Sequence, residues 1–587
     1  MRLAALFVFS ALALRAQSPC ANTRAYSSCD LVFELPAGQA DPYKTVELKA
    51  EFRSPRHHTL AMPAFWAGGN RMVIRFAPTE AGDWDYRVTS NVKEFDGKTG
   101  SFTAAASESL GFIRAANTHH WAYTERDARG LDQAHLWMGA TEMRFAVEDD
   151  AAFRAASDAR AAQKFNHLRG ELAIEGGEAI YSAPDAPNLA FFQRLDERIR
   201  YLNSKGITAD LILAPDGAAL TRLFPNWDQR RRFIRYLAAR YAPMHVTWQG
   251  VEHFEDTMDT RALLKEIGAV LKETDPYQHP RTSGARVTSA PLLDDGWMTF
   301  AAYGTSDSNV NAIEHQLYAV PFVNLDFGAE DADTAAFRRR LWNVTMDGQS
   351  PTYSGPQNLN APGAKQMTVW YDFFGDTRHW ELEPYFDVDG GRALALEDTE
   401  YVVYIEKPGP LELIVEKHGY DVYWVNPIDG EVTKGKKFSG DHFTGSPPDR
   451  SHDWILHVVR EGHLESMNKS YKFESRPVDL QEVESNSPKV PFTIEQPTAD
   501  LMLRVSAPYA VKITKETRAT RTMLYLWAGD VSAGGQGYRV IGTGAKGVMR
   551  PLNSLAKEFP AIMHLRVYGM NANGKVYAID RAFGINP

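Results

Sequence analysis

Three observations predict a multidomain chain: an N-terminal β-sandwich, a central (β/α)8 TIM barrel and C-terminal β-sandwich modules. Strand-like and helix-like stretches alternate from about residue 112 to 385. Short alternating runs between turn residues flank that region on both sides. The length, 587 residues, exceeds what a single core accommodates. A hydrophobic share of 44% and a charged share of 24% are those of an ordinary globular protein, which excludes a disordered or fibrous chain. The net charge of −10, with no long basic run, argues against nucleic acid as a partner.

The first 16 residues read as a signal peptide. Arg2 supplies a positive start, residues 3–14 an apolar stretch, and Leu14, Arg15 and Ala16 a cleavage region. The stretch is too short to span a membrane, and no second apolar run of spanning length follows. The mature chain is therefore expected outside the cytoplasm, periplasmic or extracellular. There Cys20 and Cys29, the only cysteines, are expected to form a disulfide.

Residues 22–107 form the predicted N-terminal sandwich, with strand runs such as 45–52 (TVELKAEF) and 72–76 (MVIRF). Trp84 and Tyr86 alternate on one strand face and are read as core. Barrel strands are expected at 135–141, 166–172, 209–214, 245–250, 281–284, 298–303, 321–327 and 351–354. Helices fall between most of them, at 151–165, 189–203, 227–242, 260–273 and 334–347. Phe191, Leu195, Ile199 and Leu202 show the helical spacing in the second of these. The fifth connection, 289–297, is short and contains proline, so a degenerate helix is expected there. From 393 to 475 the pattern returns to β, with strands at 401–405, 411–415, 420–426 and 454–459. A polar stretch, 476–491, reads as a linker, and 492–587 as a further β module.

Two segments deliver carboxylates where strands should end: 245–255 (HVTWQGVEHFE) with Glu252 and Glu255, and 321–331 (PFVNLDFGAED) with Asp326 and Glu330. The C-terminal strand ends of such a barrel converge on one site. Two carboxylates there suffice for glycosidic cleavage, one protonating the leaving oxygen and the other attacking the anomeric carbon or activating water. Sugar sites add stacking faces and planar hydrogen-bonding groups. The binding candidates are Trp248, Gln249, Arg169, Glu171, Tyr303, Asn324 and Tyr353. His279, beside Pro280, reads as a packing or positioning histidine. No motif calls for a metal or any other cofactor, and nothing in the sequence fixes the oligomeric state.

The residues also carry a resemblance. The N-terminal region, through Pro63, Phe65, Gly69, Arg75, Phe76, Pro78, Gly82, Trp84, Tyr86 and Gly100, resembles a β-sandwich module that precedes glycoside-hydrolase barrels in secreted bacterial proteins. The barrel resembles the apiosidase-like glycoside hydrolases, through 135–141 (HLWMGAT), Trp248-Gln249-Gly250, 275–281 (DPYQHPR) and the strand-seven segment. Residues 423–431 with 453–458 resemble a closing β-sandwich that in some families carries a collagen-binding label. The resemblance implies a retaining clan with its acid/base after strand four, Glu252, and its nucleophile after strand seven, Asp326. Two departures keep alternatives open. Val251 stands where relatives carry Asn or Gly, so a shifted register would make Glu255 the acid. Asp326 stands where many carry Glu, which admits an inverting separation, Glu330 as the working group, or a barrel that has lost catalysis. The rival reading is a non-catalytic carbohydrate-binding or adhesion protein on the same barrel.

Overall fold

The computed structural model describes residues 20–462 except 175, 257–259, 331–332 and 356–358; beyond 479 it describes 480, 482–496, 498, 502–504, 509–515, 519–528, 536–543, 546–549 and 561–586. The expected signal peptide and residues 463–475 of the predicted third domain lie outside the described residues. The chain divides into two compact units, to Ser109 and from Leu110.

The first unit has two antiparallel sheets. One orders Cys29–Glu34, Arg71–Phe76 and Phe65–Gly68; the other orders Thr59–Pro63, Leu48–Arg53, Gly82–Ser90 and Thr99–Ala104. Period-two patterning sets the faces: Leu48, Ala50 and Phe52 are buried, Lys49, Glu51 and Arg53 exposed. The buried rings of Phe52 and Phe76 stack, with Trp84 and Phe102 edge-on to Phe76. Tyr86 leans on Phe52 and lies across Gly100, where a Cβ would stand 2.4 Å from the tyrosine ring. That contact accounts for the glycine. Trp84 belongs to the core, as the alternation implies, while Tyr86 on the same face is half-buried. Cys20 and Cys29 form the expected disulfide.

The second unit opens with a three-stranded antiparallel ribbon, Ile113–Ala116, His120–Arg126 and Asp132–His135. The predicted first barrel strand at 135–141 therefore splits. His135 ends the ribbon, and only Gly139–Thr141 joins the barrel. The remaining barrel strands are His167–Glu171, Thr208–Ala214, Val246–Val251, Arg281–Thr282, Ala301–Tyr303, Phe322–Asn324 and Ser350–Tyr353. They form one parallel sheet ordered five, four, three, two, one, eight, seven, six. The ends meet where Thr299 N–H donates to the Arg281 carbonyl, so the sheet is a nearly closed TIM barrel.

Each expected helix forms, and four of the five have side-chain caps among the described residues. Asp149, Asn188, Asn226 and Asp333 accept first-turn N–H groups, and Asn226 with Gln229 makes a capping box. The fifth connection is a 3-10 turn, Ala290–Asp295, with Pro291 at its start. Helices Gly217–Leu223, Ser308–His315 and Pro362–Gly375, in stretches whose pattern predicts no helix, complete the ring.

A second antiparallel sheet packs on the barrel helices. Its central strands are Glu400–Ile405, Trp454–Arg460 and Leu411–Val425, the last a single bent strand where two short ones are predicted. The register shift between Ile414 and His418 is the break the periodicity shows. Val402, Tyr404 and Ile455 share one core with Trp342, Trp370 and Phe374 of the barrel helices. A buried Arg338–Asp453 ion pair, joined by the Tyr404 hydroxyl, ties the two layers together. The last strands, Ala561–Asn571 and Val576–Asn586, cover the sixth strand and helix Ser308–His315 through Tyr568, Met570 and Ala578. Among the described residues no helix is long and apolar enough to cross a membrane.

Candidate active site

A column of buried polar side chains rises through the barrel. His135 Nε2 meets His167 Nε2 at 3.0 Å, His167 Nδ1 meets Asp210 at 2.9 Å, and the Thr247 hydroxyl donates to the same Asp210 oxygen at 2.7 Å. Strand register puts these residues side by side, since Arg169 pairs with Asp210 and Asp210 with Thr247. One layer nearer the strand ends, Arg169 Nε donates to Gln249 Oε1 at 2.9 Å. At the top, Arg169 forms an ion pair with Glu252 Oε2, and Gln249 Nε2 donates to that oxygen at 3.1 Å.

Glu252 therefore sits directly after strand four, its backbone N–H held by the Ala214 carbonyl and its side chain only 14% exposed. Gly284, just past strand five, makes room for this fork. A Cβ there would lie 2.2 Å from the Glu252 carbonyl oxygen and 2.5 Å from Gln249 Nε2. Arg169 is wholly buried. Burial pushes its guanidinium down to about 10, against the pull of Asp210, Glu171 and Asp326. The same field reaches His253, half-buried with Nε2 4.0 Å from Glu252 Oε1. Burial, then Arg286, lowers the imidazole pKa, with Asp256 and Asp326 opposing. Arg169 thus pairs with Glu252, and Arg169 and His253 both feel the charge of Asp326, which links strands two, four and seven. His253 was not singled out from the sequence; its signal was adjacency to Glu252.

Asp326 follows strand seven and is exposed. One oxygen accepts Gly328 N–H at 3.0 Å, and its own N–H donates to Asn324 Oδ1 at 3.2 Å. Glu171, at the end of strand two, is partly buried; burial raises its pKa, Arg169 opposes and Asp216 adds to the rise. Asp216 caps helix Gly217–Leu223 through Ala219 N–H.

The other candidates lie elsewhere in the barrel. Glu255 accepts the backbone N–H groups of Arg286 and Val287, bracing that loop, and burial raises its pKa. Both oxygens of Glu330 are taken, one by the Tyr353 hydroxyl at 2.7 Å and one by Gly363 N–H at 2.8 Å, so Glu330 ties strand eight to the helix that follows it. Tyr353 is buried in that tie. Trp248 is fully buried and donates its indole N–H to Asp275, which also holds His279; it packs beneath the helices and offers no stacking face. Tyr303 is fully buried beside Glu314. Asn324 is fully buried between Thr305 and Gln349, and it positions Asp326 from behind. Gln249 likewise positions Glu252 and is itself buried. Direct sugar contact by Trp248, Tyr303, Asn324 or Tyr353 gives way to these packing roles because none of the four reaches solvent.

An ion pair held at one strand end and an exposed carboxylate after another can bind a polar substrate and present charge to it. Residues 153–339 match the model of the apiosidase-like catalytic domain, and residues 22–91 match a domain of unknown function, DUF5060. No curated protein matches the chain. Among solved structures, a candidate glycoside hydrolase from Bacteroides vulgatus aligns with a TM-score of 0.63 at 19% identity, over 75% of this chain and 100% of its own. A glycoside hydrolase family 5 protein from the same organism aligns with a TM-score of 0.53 at 14% identity, over 60% of this chain and 93% of its own. At these identities the likeness is one of fold.

Proposed function

We propose that this chain, with its apiosidase-like barrel, is an exported glycoside hydrolase acting on a poly- or oligosaccharide. The observation that carries the reading is Glu252, held in the Arg169–Gln249 fork after strand four, together with the exposed Asp326 three strands further on, after strand seven. Strands four and seven are where retaining barrel glycosidases keep their acid/base and nucleophile. In that scheme Glu252 enters the cycle protonated; an Asp326 oxygen attacks the anomeric carbon as the bond to the leaving oxygen breaks, and Glu252 gives that oxygen its proton. Glu252 then takes a proton from water as the water oxygen displaces Asp326 from the glycosyl ester. Asn324 and Gln249 position the two carboxylates. The Cys20–Cys29 disulfide supports an oxidising compartment.

The test is release of reducing sugar from a panel of plant and microbial polysaccharides, with Glu252→Gln and Asp326→Asn alongside the parent. Loss in both variants, with the fold intact by circular dichroism, is the expected result. Full activity in either would refute its assigned role. Sugar binding without hydrolysis by the parent would favour a carbohydrate-binding barrel.

A further inference from the structure

We propose that the chain carries a divalent metal site of the zinc class, built from His119, His315 and Glu383 with His120 beside them, at the end of the barrel opposite Glu252 and Asp326. These residues come from three elements: the ribbon before strand one, the last turn of helix Ser308–His315, and strand Glu383–Tyr385 of the packed sheet. Their donor atoms all lie within 4.8 Å of one another.

His119 Nε2 lies 2.9 Å from the Tyr318 carbonyl, which can only accept, so that nitrogen carries the ring proton. The other nitrogen, Nδ1, then presents a lone pair to Glu383 Oε2 at 3.0 Å. A lone pair facing a carboxylate oxygen is repulsive unless a cation lies between or beside them. A backbone carbonyl fixing the tautomer of a metal-binding histidine is the usual second support of such ligands. His315 adds a second nitrogen to the same oxygen: Nε2 stands 3.3 Å from Glu383 Oε2. Neither ring nitrogen of this buried histidine makes a hydrogen bond. Gly348 leaves the ring its space, since a Cβ there would fall 2.4 Å from His315 Nε2. Around a tetrahedral ion with bonds of about 2.0–2.1 Å, neighbouring donors stand about 3.3 Å apart. The 3.0 and 3.3 Å separations match that spacing. His120 Nε2, 3.1 Å from Glu383 Oε1, or a water molecule supplies the fourth position. Two or three imidazoles and a carboxylate suit zinc among available divalent ions. The side chain of Glu383 is 31% exposed, which gives an ion a way in.

The experiment uses the full chain without a polyhistidine tag, stripped with a chelator and then equilibrated with zinc alone. One bound equivalent by elemental analysis, a rise of the melting midpoint by a few degrees, and imidazole scattering in the zinc X-ray absorption spectrum are expected. His315→Phe keeps a ring against His119 and Phe322 and removes no hydrogen bond, so it should melt like the stripped parent and lose the zinc-induced rise; Glu383→Gln should lose it as well. His442→Gln, on the exposed face of the packed sheet, should keep it. The parent binding no zinc, a spectrum without imidazole, or a zinc response unchanged in His315→Phe and Glu383→Gln would each overturn the site. In the first case, a proton shared between His119 and Glu383 holds the cluster instead.

Discussion

Gly284→Ala tests the fork that holds Glu252 more sharply than removing the carboxylate does. An added methyl would stand 2.2 Å from the Glu252 carbonyl oxygen, whereas ordinary contact begins at 3.4 Å, so more than 1 Å must be found. Little of that can come from residue 284, whose N–H is held by the Val251 carbonyl at 2.8 Å. The Gln249 amide, 2.5 Å from the methyl, is pressed at the same time. Glu252 and its positioning amide therefore move together by about 1 Å. Displacement of that size at a reacting group costs about 100-fold in rate, while overpacking costs about 1–3 kcal/mol of stability. The assay is kcat/KM on the substrate found in the panel, with thermal unfolding in parallel. Gly375→Ala is the control, since a methyl there meets no heavy atom within 4 Å. A Gly284→Ala enzyme of parental activity would refute the reasoning that the fork sets the position of Glu252.

Asp453→Asn should destabilise the chain by about 3–5 kcal/mol in urea unfolding, because it strands the Arg338 charge in the joint between barrel and sheet. Glu314 is wholly buried and its pKa is raised from 4.5 to about 8, chiefly by burial. The stability from its neutral form is complete below pH 4.5 and is lost as pH rises through 8, so the advantage of Glu314→Gln over the parent should grow across that window. A melting difference flat from pH 5 to 8 would contradict this. Replacing Cys20 and Cys29 by serine should cost the N-terminal unit about 2–3 kcal/mol, as loop closure over so short a span implies, measured by denaturant unfolding of the full chain.

Element type was readable wherever one periodicity ran unbroken. The helix Leu189–Ser204 follows its apolar spacing and its Asn188 cap, and the 3-10 turn at Ala290–Asp295 follows the short proline-bearing connection. The ribbon at 113–135 was not readable, because its strands are short and their partners are one another, so no single strand alternates long enough to declare itself. Helix Ser308–His315 escaped for a different reason. It is buried almost all round against the last strands, which erases the polar face that marks an amphipathic helix.

The site was legible in its carboxylates and opaque in its partners, and the reason is geometric. Strand ends are set by local pattern, so Glu252 and Asp326 could be placed from the sequence. Which interior side chain meets which depends on register between strands far apart in the chain. Arg169 and Glu252 meet only because strands two, three and four step together through Asp210 and Thr247. The same dependence explains Trp248 and Gln249, adjacent in sequence and both polar-tipped. In a strand they must face opposite ways, and only the register decides that Gln249 faces Arg169 while Trp248 faces Asp275. Pattern therefore named the pair but could not say which member was useful. The choice follows from the barrel's shear, a property of eight strands at once.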